Sequence, residues 1–195
     1  MNVKISTMSG KLEGIKAINT NTLSNYFCKK MVKSKNKKVI CGDCYSWKML
    51  STFRKSAIPS FEHNSKLLSN KDIEHIPYIN QSLFRFNAHG ELINELHLNN
   101  LVKIVKINPQ CTFTLWTKRK DIITNYFLYN DKPKNLILIY SNALVDTIKN
   151  PPMFFDKSFN NVSSDSNEIN CKGKCINCRL CYSKNDVKII IEKKK

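Results

Sequence analysis

Between Ser82 and Tyr140 the chain alternates strand-like and helix-like patterns, and this alternation restricts the fold more than any other feature. Ser82-Leu83-Phe84-Arg85-Phe86-Asn87 has the composition of a strand. From about Asn94 to Ile107, apolar residues at Leu98, Leu101, Val102 and Val105 fall on one helical face, and Asn108-Pro109 closes the element. Cys111-Thr112-Phe113-Thr114-Leu115-Trp116 predicts a second strand. Lys118 to about Tyr129 predicts a second helix through Ile122, Ile123, Tyr126 and Phe127. Asn135-Leu136-Ile137-Leu138-Ile139-Tyr140 is nearly all apolar, as a buried parallel strand should be. Strand, helix, strand, helix, strand at these lengths predicts a parallel α/β sheet. Ligands of such sheets sit beyond the carboxyl ends of the strands. That rule puts Asn87 to Glu91, Thr117 to Arg119, and Ser141-Asn142 on one rim.

The flanks are less regular. Leu12 to Thr20 predicts a short strand, and Asn21 to Cys44 a loop with a Lys-rich spacer from Lys33 to Lys38. Tyr45 to about Ser56 predicts a helix, with Trp47, Leu50 and Phe53 on one side, ended by Pro59. Short helical turns are expected at Ser65 to Leu68 and Asn70 to His75. Residues 156 to 169 read as a loop with one short strand, and Asp186 to Glu192 as a final strand. The division expected is a core over 1–155 and a Cys-rich segment over 156–195.

Seven of the eight cysteines form two groups. Cys28, Cys41 and Cys44 are spaced C-x12-C-x2-C; Cys171, Cys175, Cys178 and Cys181 are spaced C-x3-C-x2-C-x2-C. The first residues lack the apolar core of a signal peptide, and no run has the length of a membrane span. The expectation is therefore a reducing cytosol and no membrane partner, where clustered thiols serve metals rather than disulfides. Structural zinc usually draws its ligands from two well-separated knuckles. The dense second group is closer to the ferredoxin-type run that wraps a [4Fe–4S] cluster. Three thiols in the first group leave one coordination position open, unless Cys111 or a His completes a zinc site. Cys111, in a strand, reads as core. His89 falls on the rim and His97 in the first turn of a helix.

The formal charge is +17, with only four Arg among 32 basic residues. Excess positive charge attracts phosphate, so nucleic acid is a candidate partner. Lys33 to Lys38 and the tail Lys193-Lys194-Lys195 would contact phosphates, and Tyr26, Phe27, Trp116 and Tyr126 would stack bases if exposed. A Lys-rich solvated surface explains the same count.

The order of these features resembles the radical S-adenosylmethionine (SAM) superfamily. It has a three-Cys loop after the first strand, a helix after the last Cys, and a second strand ending at Gly90-Glu91. A closer resemblance is to phage gene-product-88-like proteins. It is carried by the Cys41-x-x-Cys44-Tyr45 head and by Phe113-Thr114-Leu115-Trp116-Thr117-Lys118-Arg119, and spans roughly residues 14 to 182. The resemblance implies a partial (β/α) barrel with parallel strands and a small Cys-rich C-terminal appendage. It implies a [4Fe–4S] cluster on Cys28, Cys41 and Cys44 whose open iron takes SAM, with Asn87, Gly90 and Glu91 beside the SAM amino group. Lys118 and Arg119 would hold an anionic group such as phosphate or the SAM carboxylate. Cys171, Cys175, Cys178 and Cys181 would hold an auxiliary cluster, in the cytoplasm of a bacterial host. The first Cys spacing is longer than the superfamily's C-x3-C-x2-C, Tyr45 follows the last Cys rather than preceding it, and His89 replaces the first Gly of Gly-Gly-Glu. The alternative is a metal-stabilised, non-enzymatic protein that binds nucleic acid or a host component, with zinc in place of iron.

Overall fold

A computed structural model describes residues 2–34, 36, 38–171 and 173–194. Lys35 and Lys37 of the basic spacer, Lys195 of the tail and Lys172 of the second Cys group lie outside the described residues. The strands are β1 Ile5–Thr7, β2 Lys16–Ile18, β3 Leu83–Phe86, β4 Thr112–Thr117, β5 Leu136–Val145, β6 Lys157–Val162 and β7 Ile189–Lys193. The helices are α1 Tyr26–Val32, α2 Tyr45–Ser51, α3 Ile58–Asn70, α4 Glu95–Ile107, α5 Lys120–Phe127 and the single turn α6 Cys175–Cys178.

All seven strands form one sheet in sequence order. β1 pairs antiparallel with β2, and every later neighbour is parallel. The predicted strand–helix alternation is thus realised as β3, α4, β4, α5 and β5. The sheet does not close: β1 and β7 are both edges, so the architecture is an open, mostly parallel α/β sheet. The boundary expected at 155/156 falls between β5 and β6, which pair in parallel.

The two faces of the sheet are covered differently. Phe84, Phe86, Phe113, Leu115, Leu136 and Leu138 point to one side and bury against α3, α4 and α5, through residues such as Leu68, Leu98, Leu101 and Ile123. Burying each such side chain contributes about 1.5–3 kcal/mol, so this layer is the main core. The other face carries Ile15, Leu83, Ile137, Ile139, Phe159 and Ile190, and against it pack Cys181, Tyr182, Ile176 and Leu180. The Cys-rich segment is therefore not an outlying appendage. Its apolar side chains cover one end of a sheet face that no long helix covers. Lys157, fully buried in β6, tethers the chain that follows by donating Nζ hydrogen bonds to Asn185 Oδ1 and the Val187 carbonyl, each at 2.6 Å.

Several local expectations are corrected. The stretch read as loop from Asn21 to Cys44 contains α1, too short at seven residues to show a hydrophobic period. Its start is fixed by Asn25, whose side chain accepts from Cys28 N. Pro59 does not end a helix. It lies in the first turn of α3, where its missing N–H costs nothing. The turn expected at Ser65 to Leu68 lies inside α3, a continuous 13-residue helix, and the one expected at Asn70 to His75 does not form: α3 ends at Asn70 and the chain beyond it is irregular. α2 stops at Ser51, leaving Phe53 exposed while Met49 and Leu50 are buried. Among the described residues no helix is long and apolar enough to cross a membrane.

Candidate functional site

A pocket of about 170 Å³ opens at the carboxyl ends of β3 and β4, where ligands of parallel sheets sit. Cys28, Cys41 and Cys44 line it, together with Asn87, Gly90, Glu91 and Lys118. The structure thus brings together residues from 28 to 118 that the sequence singled out separately. Arg119 is placed elsewhere. Its guanidinium pairs with Asp121 at 2.7 Å, lies over the Phe27 ring, and reaches the Leu92 and Ile93 carbonyls at 3.4 Å.

Each thiol is positioned by a local device. Cys28 lies in the first turn of α1, behind the Asn25 cap. Cys41 follows a short antiparallel bridge between Val39 and Leu144, reinforced by the Val145 N–H donating to the Lys38 carbonyl at 2.8 Å. The extension of β5 past Tyr140, absent from the sequence reading, is what anchors this loop. Cys44 caps α2, its Sγ accepting from Trp47 N at 3.5 Å. All eight cysteines are free thiols. Burial raises the Cys28 pKa well above the usual thiol value, with Glu91 and Cys44 adding to the effect and Lys118 opposing it. Burial raises Cys41 as well, against the pull of Lys118. Such thiols are poor free nucleophiles.

The Asn87 to Glu91 turn is clasped by the chain after β2. Asn87 is left-handed at φ 56°, a conformation Asn tolerates, and its N–H donates to the Ile18 carbonyl at 3.1 Å. The Thr20 N–H donates to the His89 carbonyl, Gly90 N–H to Thr22 Oγ1, and Asn25 Nδ2 to the Glu91 carbonyl, each at 3.0–3.1 Å. Gly90 has φ 84°, and a Cβ there would stand 2.5 Å from the Thr20 carbonyl oxygen. Only glycine fits this crossing.

Glu91 is almost fully buried, at 5% exposure. Its carboxylate accepts from Leu92 N at 2.8 Å, from Lys118 N at 2.8 Å and from Thr117 Oγ1. The bonds from Thr117 and Lys118 pin the turn after β3 to the end of β4, and the three together leave about one of four acceptor positions free. Burial raises its pKa, opposed by Lys118 and these donors. Lys118 Nζ donates to Ser141 Oγ at 2.9 Å. Burial alone would lower the Lys118 pKa, but Cys41 and Glu91 outweigh it and leave it raised.

His89 is not a surface residue. It is buried against Phe61 and Tyr45, with Nδ1 3.0 Å from Ser46 Oγ. Burial, with Arg85 and Arg54 nearby, lowers its pKa to about 4, so it is neutral near pH 7. Cys111 is core, as read. Of the four aromatics considered for base stacking, Tyr26 is exposed, Tyr126 is buried, and Phe27 and Trp116 line the pocket.

Cys171, Cys175, Cys178 and Cys181 line a second, much smaller pocket with Tyr182. Burial raises the pKa of Cys171 and Cys175, and that of Cys181 to about 12. Among the described residues, no three or more Cys, His, Asp or Glu are grouped so that they could hold a metal ion. Four thiolates on one zinc lie about 3.8 Å apart. An iron–sulfur cluster places its own atoms between the thiolates and asks for wider spacing.

The sequence reading missed Arg85, the middle of β3, which lines the first pocket and stacks on Trp116. A signal was present: it is one of four Arg in a Lys-rich chain, set in an otherwise apolar strand.

A family model for Gene product 88 matches residues 7–164. The chain belongs to the Gene product 88 family. The matched stretch contains every residue lining the first pocket and stops before Cys171. No curated protein and no solved structure matches the chain.

Proposed function

We propose that this member of the Gene product 88 family is an iron–sulfur protein resembling the radical SAM enzymes, with Cys28, Cys41 and Cys44 holding a [4Fe–4S] cluster. The observation that carries this reading is the common pocket. Three free thiols, from the first turn of α1 and the chain leading into α2, share a pocket with the Asn87 to Glu91 turn and Lys118 beyond the carboxyl ends of parallel strands. When bound, such a cluster supplies one-electron chemistry and an iron position free for SAM.

The chain's own residues supply binding and positioning. Thr20, Thr22 and Asn25 hold the turn rigid. Glu91 offers its remaining acceptor position to an ammonium group, and Lys118 its Nζ to a carboxylate. Phe27 lines the pocket with an apolar ring. Neutral His89 braces the turn and carries no charge into the pocket. Cys171, Cys175, Cys178 and Cys181 form the second, auxiliary cluster site in this reading.

Anaerobic purification with iron, sulfide and zinc quantitation tests it. About eight iron per chain is expected for two clusters and about four for one. Stoichiometric zinc without iron overturns it. With reductant and SAM, the iron-loaded chain should release 5′-deoxyadenosine and methionine.

The charge of +17 favours a second reading, in which the Cys sites brace a nucleic-acid-binding surface. Binding to short RNA or DNA should then weaken steeply with salt. Salt-insensitive or absent binding removes it.

A further inference from the structure

We propose that Arg85 and Trp116 form an anion-binding floor in the first pocket, which takes a carboxylate or phosphoryl group of a small-molecule substrate. The proposal deepens the enzymatic reading above by naming the substrate's chemical class, but its test requires neither a cluster nor SAM.

Arg85 in β3 pairs in register with Thr114 in β4, and Trp116 lies two residues further along. Both side chains therefore project from the sheet face opposite the main core. The Arg85 Cζ lies 4.0 Å from the Trp116 ring centroid. That stack holds the guanidinium plane in a fixed orientation. Both residues line the first pocket, and neither lines the second.

What Arg85 lacks is an acid. Among the described residues it makes no ion pair, and no side-chain hydrogen bond involves its guanidinium; its Nε is buried without a partner, as is Trp116 Nε1. A guanidinium cannot shed its proton, so its planar set of N–H donors calls for an acceptor at any pH. The one carboxylate of the pocket does not supply it. Glu91 is committed to Leu92, Thr117 and Lys118. Lys118 adds a second cation on the same wall. A pocket with two cations, one committed carboxylate and an unused planar fork fits an oxyanion, because the fork matches carboxylate and phosphoryl oxygens two at a time.

Full-length protein carrying Trp47→Phe retains Trp116 as its one tryptophan. Its fluorescence should change saturably on titration with inorganic phosphate or with acetate at constant ionic strength. A response to phosphate alone identifies a phosphoryl group, and to acetate alone a carboxylate. Arg85→Gln should weaken the response at least tenfold. Arg85→Lys, which keeps the charge but not the fork, should weaken it several-fold. The melting temperature gives a second readout. The anion should raise it in the Trp47→Phe protein but not with Arg85→Gln added, and in anion-free buffer Arg85→Gln should be at least as stable as its parent. No saturable response to either anion, an undiminished response in Arg85→Gln, or equal destabilisation of that variant with and without anion overturns the proposal. Iron measured on the same samples separates the two claims: anion binding without iron sinks the cluster reading alone.

Discussion

At Gly90 the backbone at φ 84° and the approach of Thr20 act together, so Gly90→Ala is penalised twice. A positive φ costs a side chain about 1–2 kcal/mol, and overpacking adds about 1–3 kcal/mol. Denaturant unfolding should show a loss of about 2–5 kcal/mol. His89 and His97 predict the acid behaviour. Burial holds both neutral in the folded chain, with pKa values lowered to about 4 and about 3. Below about pH 6.5 the unfolded chain gains protons there that the folded chain refuses, so stability rises with pH across that window and falls as pH drops through it. Each residue should cost about 2 kcal/mol between pH 7 and pH 5. Glu91, whose pKa is raised, acts in the opposite sense above its ordinary value of 4.5. Urea midpoints of wild type and of a His89→Gln/His97→Gln variant at pH 7 and pH 5 check this; an unchanged slope in the variant would refute the assignment.

Among the elements, α1 links folding to the site. Asn25 caps it through Cys28 N and also holds the Glu91 carbonyl through Nδ2 at 3.0 Å. Asn25→Ala should therefore cost about 1–2 kcal/mol and also reduce iron occupancy at the first site, a double effect that an ordinary cap would not show. Elements with a repeated pattern could be read directly: α4 and β5 carry the apolar spacing of a helix face and of a doubly buried strand. α1 and the end of β5 could not. Seven residues hold too few repeats, and β5 past Tyr140 is strand because Val39 and β6 pair with it. Pro59 was misread because proline signals both the end of one helix and the first turn of another.

Across the molecule the two Cys sites should differ in their importance to the fold. Cys181 is buried in the second core cluster, so Cys181→Ser places a hydroxyl there and should cost the metal-free chain about 1–3 kcal/mol. Cys44 only caps α2, where serine is a favoured residue, so Cys44→Ser should change metal-free stability by about 0.5 kcal/mol or less. Each substitution should still remove about half the iron of a two-cluster protein. Chelator-treated unfolding and iron assay on the same preparations check both. The sequence by itself determined the parallel α/β character, the rim and the two thiol groups, because hydrophobic period and Cys spacing are local properties. Tertiary structure decided that the sheet stays open, that the C-terminal Cys segment covers one end of its second face, and that Arg85 lines the same pocket as the three thiols. Those depend on which face of each strand is buried and on contacts between residues far apart in the chain, which no local pattern encodes.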